Sequence, residues 1–233
     1  MILAFETSAK AASVALMEKG KLLGECYQNT GLTHSQTLMS MAENLLDNCG
    51  VTPQQIDAVA VAAGPGSFTG VRIGVAAAKG FAWGRQIPCY GISTLEAMAQ
   101  NLGIWNGFVV PTMDARRSQT YTALFHAENG KLTRQMEDCA ISFAQLGDFL
   151  KNCQEPIFLV GDGAVLCYNT LLEAVPGLVL PPEHRLHQRA AGVAIVAQQK
   201  MDAGEPGDGA SLTPNYLRLS QAERERENRE KGV

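Results

Sequence analysis

AVAVAAGPGSFTGVRIGVAAAKGFAWG, residues 58–84, decides the fold, because it joins an uncharged strand to a helix of small residues through a glycine-rich turn. Ala58 to Ala63 holds two valines and no polar side chain, the pattern of a strand covered on both faces in an α/β sheet. Pro65 stops it. Gly64, Gly66 and Gly70 allow positive φ and close backbone approach, and Ser67 and Thr69 can cap the first turn of the helix. Two uses of the turn stay open: amides at a helix start can hold an anion or a nucleotide phosphate, or the turn can be only a tight connection. The loop matches neither G-x-x-x-x-G-K-[ST] nor G-x-G-x-x-G, and Arg72 is the only basic residue close by. The helix behind it is apolar beyond a single core stripe, with Arg72 and Lys79 seven residues apart on one face. So wide a face predicts packing on its own sheet and on a second helix or a partner chain.

A length of 233 residues and a hydrophobic share of 46% supply a sizeable core without staples. The net charge of −4 disfavours nonspecific binding to nucleic acid. Cys26, Cys49, Cys89, Cys139, Cys153 and Cys167 lie far apart, without C-x-x-C spacing, and are expected to be reduced thiols. No histidine pair stands at i and i+4, since His34 is followed by Leu38, so no metal is expected on this chain. The N-terminus lacks a basic region and carries Glu6 early, and no long apolar run follows, so the expected location is cytoplasmic, with no membrane.

Along the chain, Ile2 to Phe5, Ala12 to Met17 and Leu22 to Tyr27 read as three strands before any helix. Thr33 and Gln36 have capping-box spacing, and a helix over Ser35 to Cys49 ends at Gly50. The central strand, turn and helix follow, then a strand at Cys89 to Ile92 and a helix begun by Ser93 and Glu96. At Phe108 the pattern restarts. Glu6 aligns with Asp114 at an offset of 108, and Gly20-Lys21-Leu22 with Gly130-Lys131-Leu132 at 110. A near-constant offset predicts a duplicated unit, each copy opening with a strand that ends in an acid. The second copy continues with a helix from Ser142, capped through Gln145, a strand to Val160, the turn Gly161-Asp162-Gly163 and a helix from Ala164. A last apolar helix spans Ala190 to Asp202, and residues 220–233 form a charged tail expected to be disordered.

Two such lobes, 1–105 and 106–219, follow the plan of the α/β actin-like ATPase (ASKHA) and sugar-kinase fold, in which two strand-end acids hold Mg²⁺ and water against ATP in a cleft. Glu6 and Asp114 are the candidates. The first-strand turn, Thr7-Ser8-Ala9, lacks the glycine such ATPases favour there, which makes the acids vestigial. Nothing in the chain builds a hydrolase nucleophile.

MILAFETS, THSQTLM, GPGSFTGVRIG, MDARRSQTY and PNYLR, in this order over nearly the whole chain, resemble the bacterial TsaB (YeaZ) family. The resemblance implies a non-catalytic paralogue of TsaD that activates it in forming threonylcarbamoyladenosine beside the tRNA anticodon, together with the ATPase TsaE. It implies no tightly bound cofactor on this chain, ATP and metal on the partners, tRNA reached only through the complex, and a homodimer when TsaD is absent. It also implies that the first two helices form the pairing surface, for which Met39, Met41, Ile73, Gly74, Ala77, Ala78 and Phe81 are the expected contacts. The alternative is an autonomous nucleotide-binding enzyme of the same fold, or a metallopeptidase-like protein.

Overall fold

The computed structural model describes residues 1–218 and contains two five-stranded sheets. In the first, β1 (Ile2–Glu6), β2 (Ala12–Glu18) and β3 (Lys21–Gln28) form an antiparallel meander, and β4 (Ala58–Gly64) and β5 (Cys89–Ser93) add in parallel, giving the order β3-β2-β1-β4-β5. In the second, β6 (Gly107–Asp114), β7 (Gln119–Glu128) and β8 (Lys131–Ser142) repeat the meander, and β9 (Ile157–Val160) and β10 (Leu178–Val179) repeat the parallel edge. The two orders are the same, so the duplication read from the offsets is a duplication of topology.

The side-chain period of a strand divides each sheet between two cores. Leu3 and Phe5 of β1, with Val59 and Val61 of β4, face α1 (His34–Asn48) and α2 (Phe68–Arg85). Ile2, Ala4, Ala58, Ala60 and Ala62 face the other way, where α7 (Ala190–Asp202) lies on them through Val193, Ala194 and Ala197. The alanine-lined face lets that helix approach closely. Halving the sequence puts α7 in the second lobe; its core contacts are with the first sheet. α3 (Thr94–Ala99) lies between the lobes: Leu95 and Met98 pack with Val109, Met113 and Phe125 of the second sheet, and Gly192 of α7 passes so near Ala97 that a Cβ would meet its carbonyl at 2.1 Å. On the far face of the second sheet, α4 (Phe143–Leu150) and α5 (Ala164–Leu171) cover Val110, Ile157 and Leu159. A short α6 (Glu183–Leu186) leads into α7.

Caps divide by what else their side chains meet. Ser142 and Gln145 form the full reciprocal box at α4. Ser93 accepts from the Glu96 amide at 3.1 Å, but the Glu96 carboxylate turns to Arg134 at 2.9 Å instead of back to the cap. The box expected at Thr33 and Gln36 does not form; the Gln36 amide bonds the Thr33 carbonyl at 2.9 Å, and His34 anchors the helix start on the Ala9 carbonyl at 2.8 Å. Residues 220–233, expected to be a disordered tail, lie outside the described residues. Among the described residues all six cysteines are free thiols, and no helix is long and apolar enough to cross a membrane.

Candidate functional site

The site is the cleft between the two sheets, where β1 and β6 both end in an acid. Ser67 caps α2 by accepting from the Gly70 amide at 3.2 Å; Thr69 lies inside the helix and does not cap it. Of the three glycines in the turn, only Gly64 needs a positive φ, +118°. Gly66 and Gly70 are there for space. A Cβ on Gly66 would meet the Ser8 carbonyl at 2.5 Å, and one on Gly70 the Thr7 carbonyl at 2.1 Å. A Cβ on Gly74, a turn later, would meet Thr7 Oγ1 at 2.4 Å. The Ser67 amide donates to the Ser8 carbonyl at 2.6 Å, and Thr7 Oγ1 donates to the Gly70 carbonyl at 2.8 Å. Of the two uses left open for this turn, close packing accounts for its glycines: they press the start of α2 onto the end of β1.

The second copy does the same. Gly161 has φ +113° and approaches the Thr112 carbonyl, and the Gly163 amide donates to that carbonyl at 3.1 Å. Between them Asp162 enters the cleft, a third acid that the pairing of Glu6 with Asp114 overlooked. The signal was in the sequence, since Gly161-Asp162-Gly163 occupies the strand-to-helix turn of the second copy as Gly64-Pro65-Gly66 does in the first.

The acids differ in environment. Glu6 is fully buried; Oε1 accepts the Ser8 amide at 2.6 Å, and Oε2 has no partner. Burial pushes its carboxyl up to about 7 from 4.5, opposed by the hydrogen bonds from Ser8 and assisted by the charge of Asp162. Asp162, crowded by protein atoms though its surface opens to solvent, is raised by that crowding, against the pull of a 2.7 Å bond from Gln188 Nε2. Asp114 is half-buried, accepts the Arg116 amide at 2.7 Å and pairs with the Arg116 guanidinium at 3.2 Å. The cleft lined by Asp114 and Asp162 encloses about 470 Å³. Ser8, buried, also lines it. Among the described residues no three histidine, cysteine or acidic side chains converge as a metal site would require.

The mouth is closed on one side by the chain after α7. Lys79 donates to the carbonyls of Ala210 and Leu212, at 3.2 and 2.9 Å. Arg72 Nε donates to Tyr216 Oη at 2.7 Å and its guanidinium stacks on Phe68, whose ring in turn stacks on Tyr216 at 4.6 Å. Asn215 bonds the Ala63 carbonyl at 2.6 Å, and Arg218 crosses to the second lobe to donate to the Ala115 carbonyl at 2.7 Å. The two cations on one face of α2 therefore hold a strap that spans both lobes. Nothing in residues 58–84 announced that strap.

The residues expected at a pairing surface separate into two groups. Met41, Gly74 and Ala78 are buried in the chain's own core, so they leave the set: Met41 and Ala78 pack under the helices, and Gly74 packs against Thr7 and Val61. The wide apolar pattern of α2 could not tell its inward side from its outward side. Met39 is exposed, and Ile73, Ala77 and Phe81 are half-buried. Beside them on α2 lie exposed Ala76, Gly80 and Gly84, and Trp83 at 86% exposure.

A family model described as TsaD, tRNA N6-adenosine threonylcarbamoyltransferase, matches residues 28–225. A Bacillus subtilis (strain 168) protein named tRNA threonylcarbamoyladenosine biosynthesis protein TsaB is 34% identical over 224 residues, 95% of this chain and 96% of its own. The chain belongs to the TsaB family. A solved structure described as YeaZ from Pseudomonas aeruginosa is similar at 27% identity and a TM-score of 0.77, covering 93% of this TsaB-family chain and 99% of the other. The ethanolamine utilization protein EutJ from Carboxydothermus hydrogenoformans, 14% identical with a TM-score of 0.51 over 83% of this chain and 88% of its own, shares the fold alone. The two mixed sheets of the TsaB-family chain, each with flanking helices, make up the actin-like ATPase fold.

Proposed function

We propose that this chain acts in tRNA threonylcarbamoyladenosine biosynthesis as the non-catalytic partner and activator of a TsaD-type enzyme, for tRNAs that read codons starting with A. The observation that carries the reading is where the space at the glycine turn goes. Gly66 and Gly70 lie against the main chain of Ser8 and Thr7, so the volume and one of the amides that a phosphate would need serve the chain's own packing. Glu6 is sealed beneath that contact, away from any ion in the cleft. ATP and metal then belong to the partners, and tRNA is reached through the assembly, in the cytoplasm.

The outer faces of α1 and α2 are the proposed partner surface. Met39, Ile73, Ala77 and Phe81 stand on it, and Ala76 and Gly80 let a facing backbone come close. A TsaD-type paralogue takes this surface in the complex, a second copy takes it when the chain is alone, and a TsaE-type ATPase joins the pair. Ala77→Glu tests the surface. A carboxylate buried unpaired there costs association roughly 3 kcal/mol or more, beyond a hundredfold in Kd. The variant should fold and elute as a monomer in size-exclusion chromatography, without binding the TsaD-type chain; pairing at wild-type affinity puts the interface elsewhere. A nucleotide-binding enzyme is the second reading, favoured by the cleft of about 470 Å³. Calorimetric titration with ATP decides: tight binding with turnover that partners do not change establishes it.

A further inference from the structure

On the outer side of the second lobe, the turn between β6 and β7 overhangs α4 and α5. Arg116, Arg117 and Ser118 are three consecutive residues with left-handed backbones, φ +64°, +55° and +56°. Glycine or asparagine holds that conformation at least cost, and arginine and serine do not. The turn is pinned from several directions: the Ala115 amide donates to the Gln119 carbonyl at 3.1 Å, the Phe143 amide at the head of α4 to the Ser118 carbonyl at 3.4 Å, and Arg218 to the Ala115 carbonyl at 2.7 Å. Residues held in such conformations by the surrounding structure cluster at active sites, ligand clamps and switch regions.

Those side chains stand over a groove of about 600 Å³ whose apolar walls are Phe143 and Ala144 of α4 and Leu166 of α5. Leu166 is 46% exposed, as is Val165 beside it, and Leu172 just beyond α5 is 49% exposed. At the rim Asp114 is taken up by Arg116, while Arg117 has no ion-pair partner among the described residues. A chain with a net charge of −4 thus presents at this rim one cation unpaired among the described residues, Arg117, above exposed aliphatic side chains. Nucleic acid has no use for such walls; a protein segment carrying both acids and an apolar side chain uses the rim and the walls together.

We propose that the groove between the Arg116–Ser118 turn and helices α4 and α5 docks an acidic, amphipathic segment of a partner protein, with a carboxylate on Arg117 and an apolar side chain over Leu166. The site is separate from the outer faces of α1 and α2, so this docking and the pairing proposed above can fail independently.

The test places the photocrosslinking residue p-benzoylphenylalanine at Thr170, exposed on the groove wall, in the full chain within its own cells. The expected product joins Thr170 to a segment of another protein in which at least two carboxylates flank a leucine, isoleucine or aromatic residue. Arg117→Glu should lower its yield roughly tenfold, the order expected for reversal of a charge at a docking rim, and Arg117→Lys should largely keep it. A synthetic peptide of the captured sequence, labelled with fluorescein, should bind the purified chain with the same ranking in an anisotropy titration. Leu166→Asp, which repels the same peptide from a different wall, provides a second variant if Arg117→Glu does not fold. Crosslinks to nucleic acid, to a second copy or to residues 219–233 of the same chain overturn the proposal. So does the absence of any crosslink, or a yield that charge reversal leaves unchanged in a folded protein.

Discussion

Replacing Glu6 with glutamine should change how stability depends on pH more than stability at any single pH. Glu6 is fully buried with one carboxylate oxygen unpartnered, and burial raises its carboxyl to about 7 from 4.5. The folded protein therefore binds a proton that the unfolded chain releases, and between these values stability falls as pH rises. The stabilisation from neutral Glu6 is fully present below about pH 4.5 and is lost as pH climbs through about 7. At about 1.4 kcal/mol for each unit of difference, the full loss is about 3 kcal/mol. Glutamine keeps an oxygen for the Ser8 amide and does not titrate. Urea unfolding of both proteins at half-unit steps from pH 4 to 8.5 should give a wild-type curve that declines about 3 kcal/mol further than that of Glu6→Gln, the gap opening mostly below pH 7.5. Asp162, also raised, contributes a slope of the same sign in both proteins and does not cancel the difference. Parallel curves would falsify the view that Glu6 is sealed under the α2 contact.

Gly70→Ala should destabilise the isolated chain by about 2 kcal/mol, because its Cβ meets a backbone carbonyl at 2.1 Å and the helix start must shift. Gly80→Ala, on the same helix with no atom within 4 Å, should instead stabilise it by up to about 1 kcal/mol; thermal or urea unfolding compares the two. Ser142→Ala removes the cap of α4 and should cost about 1 kcal/mol by the same measurement, with no effect on pairing through α1 and α2.

Much of the fold was legible because duplication is a pattern over the whole chain. Glu6 with Asp114, and Gly20-Lys21-Leu22 with Gly130-Lys131-Leu132, fall at matching places in two sheets of the same strand order. Long-range packing was the harder part. The glycines of the central turn advertised a helix start with room beside it, but what fills that room is the Thr7–Ser8 main chain, about sixty residues earlier. The return of α7 to the first sheet was hidden because an apolar helix reads alike whichever sheet it covers; the alanines at 58, 60 and 62 were the only trace of it. The same ambiguity placed Met41, Gly74 and Ala78 on a surface when they face inward. Asp162 could have been found by carrying the duplication one turn further, from Gly64-Pro65-Gly66 to Gly161-Asp162-Gly163.

The central claim is that this chain contributes a surface and not a catalytic cleft. Threonylcarbamoyladenosine formation on tRNA, reconstituted with a TsaD-type enzyme, a TsaE-type ATPase and this chain, tests it most directly when Asp114→Asn and Ala77→Glu are run side by side with wild type. The account predicts that Asp114→Asn, altered at the cleft, supports modification within about twofold of wild type, while Ala77→Glu, altered on α2, loses at least about tenfold at equal protein concentration. Loss of modification with Asp114→Asn and its retention with Ala77→Glu, in folded proteins, would contradict the account and return the function to the cleft.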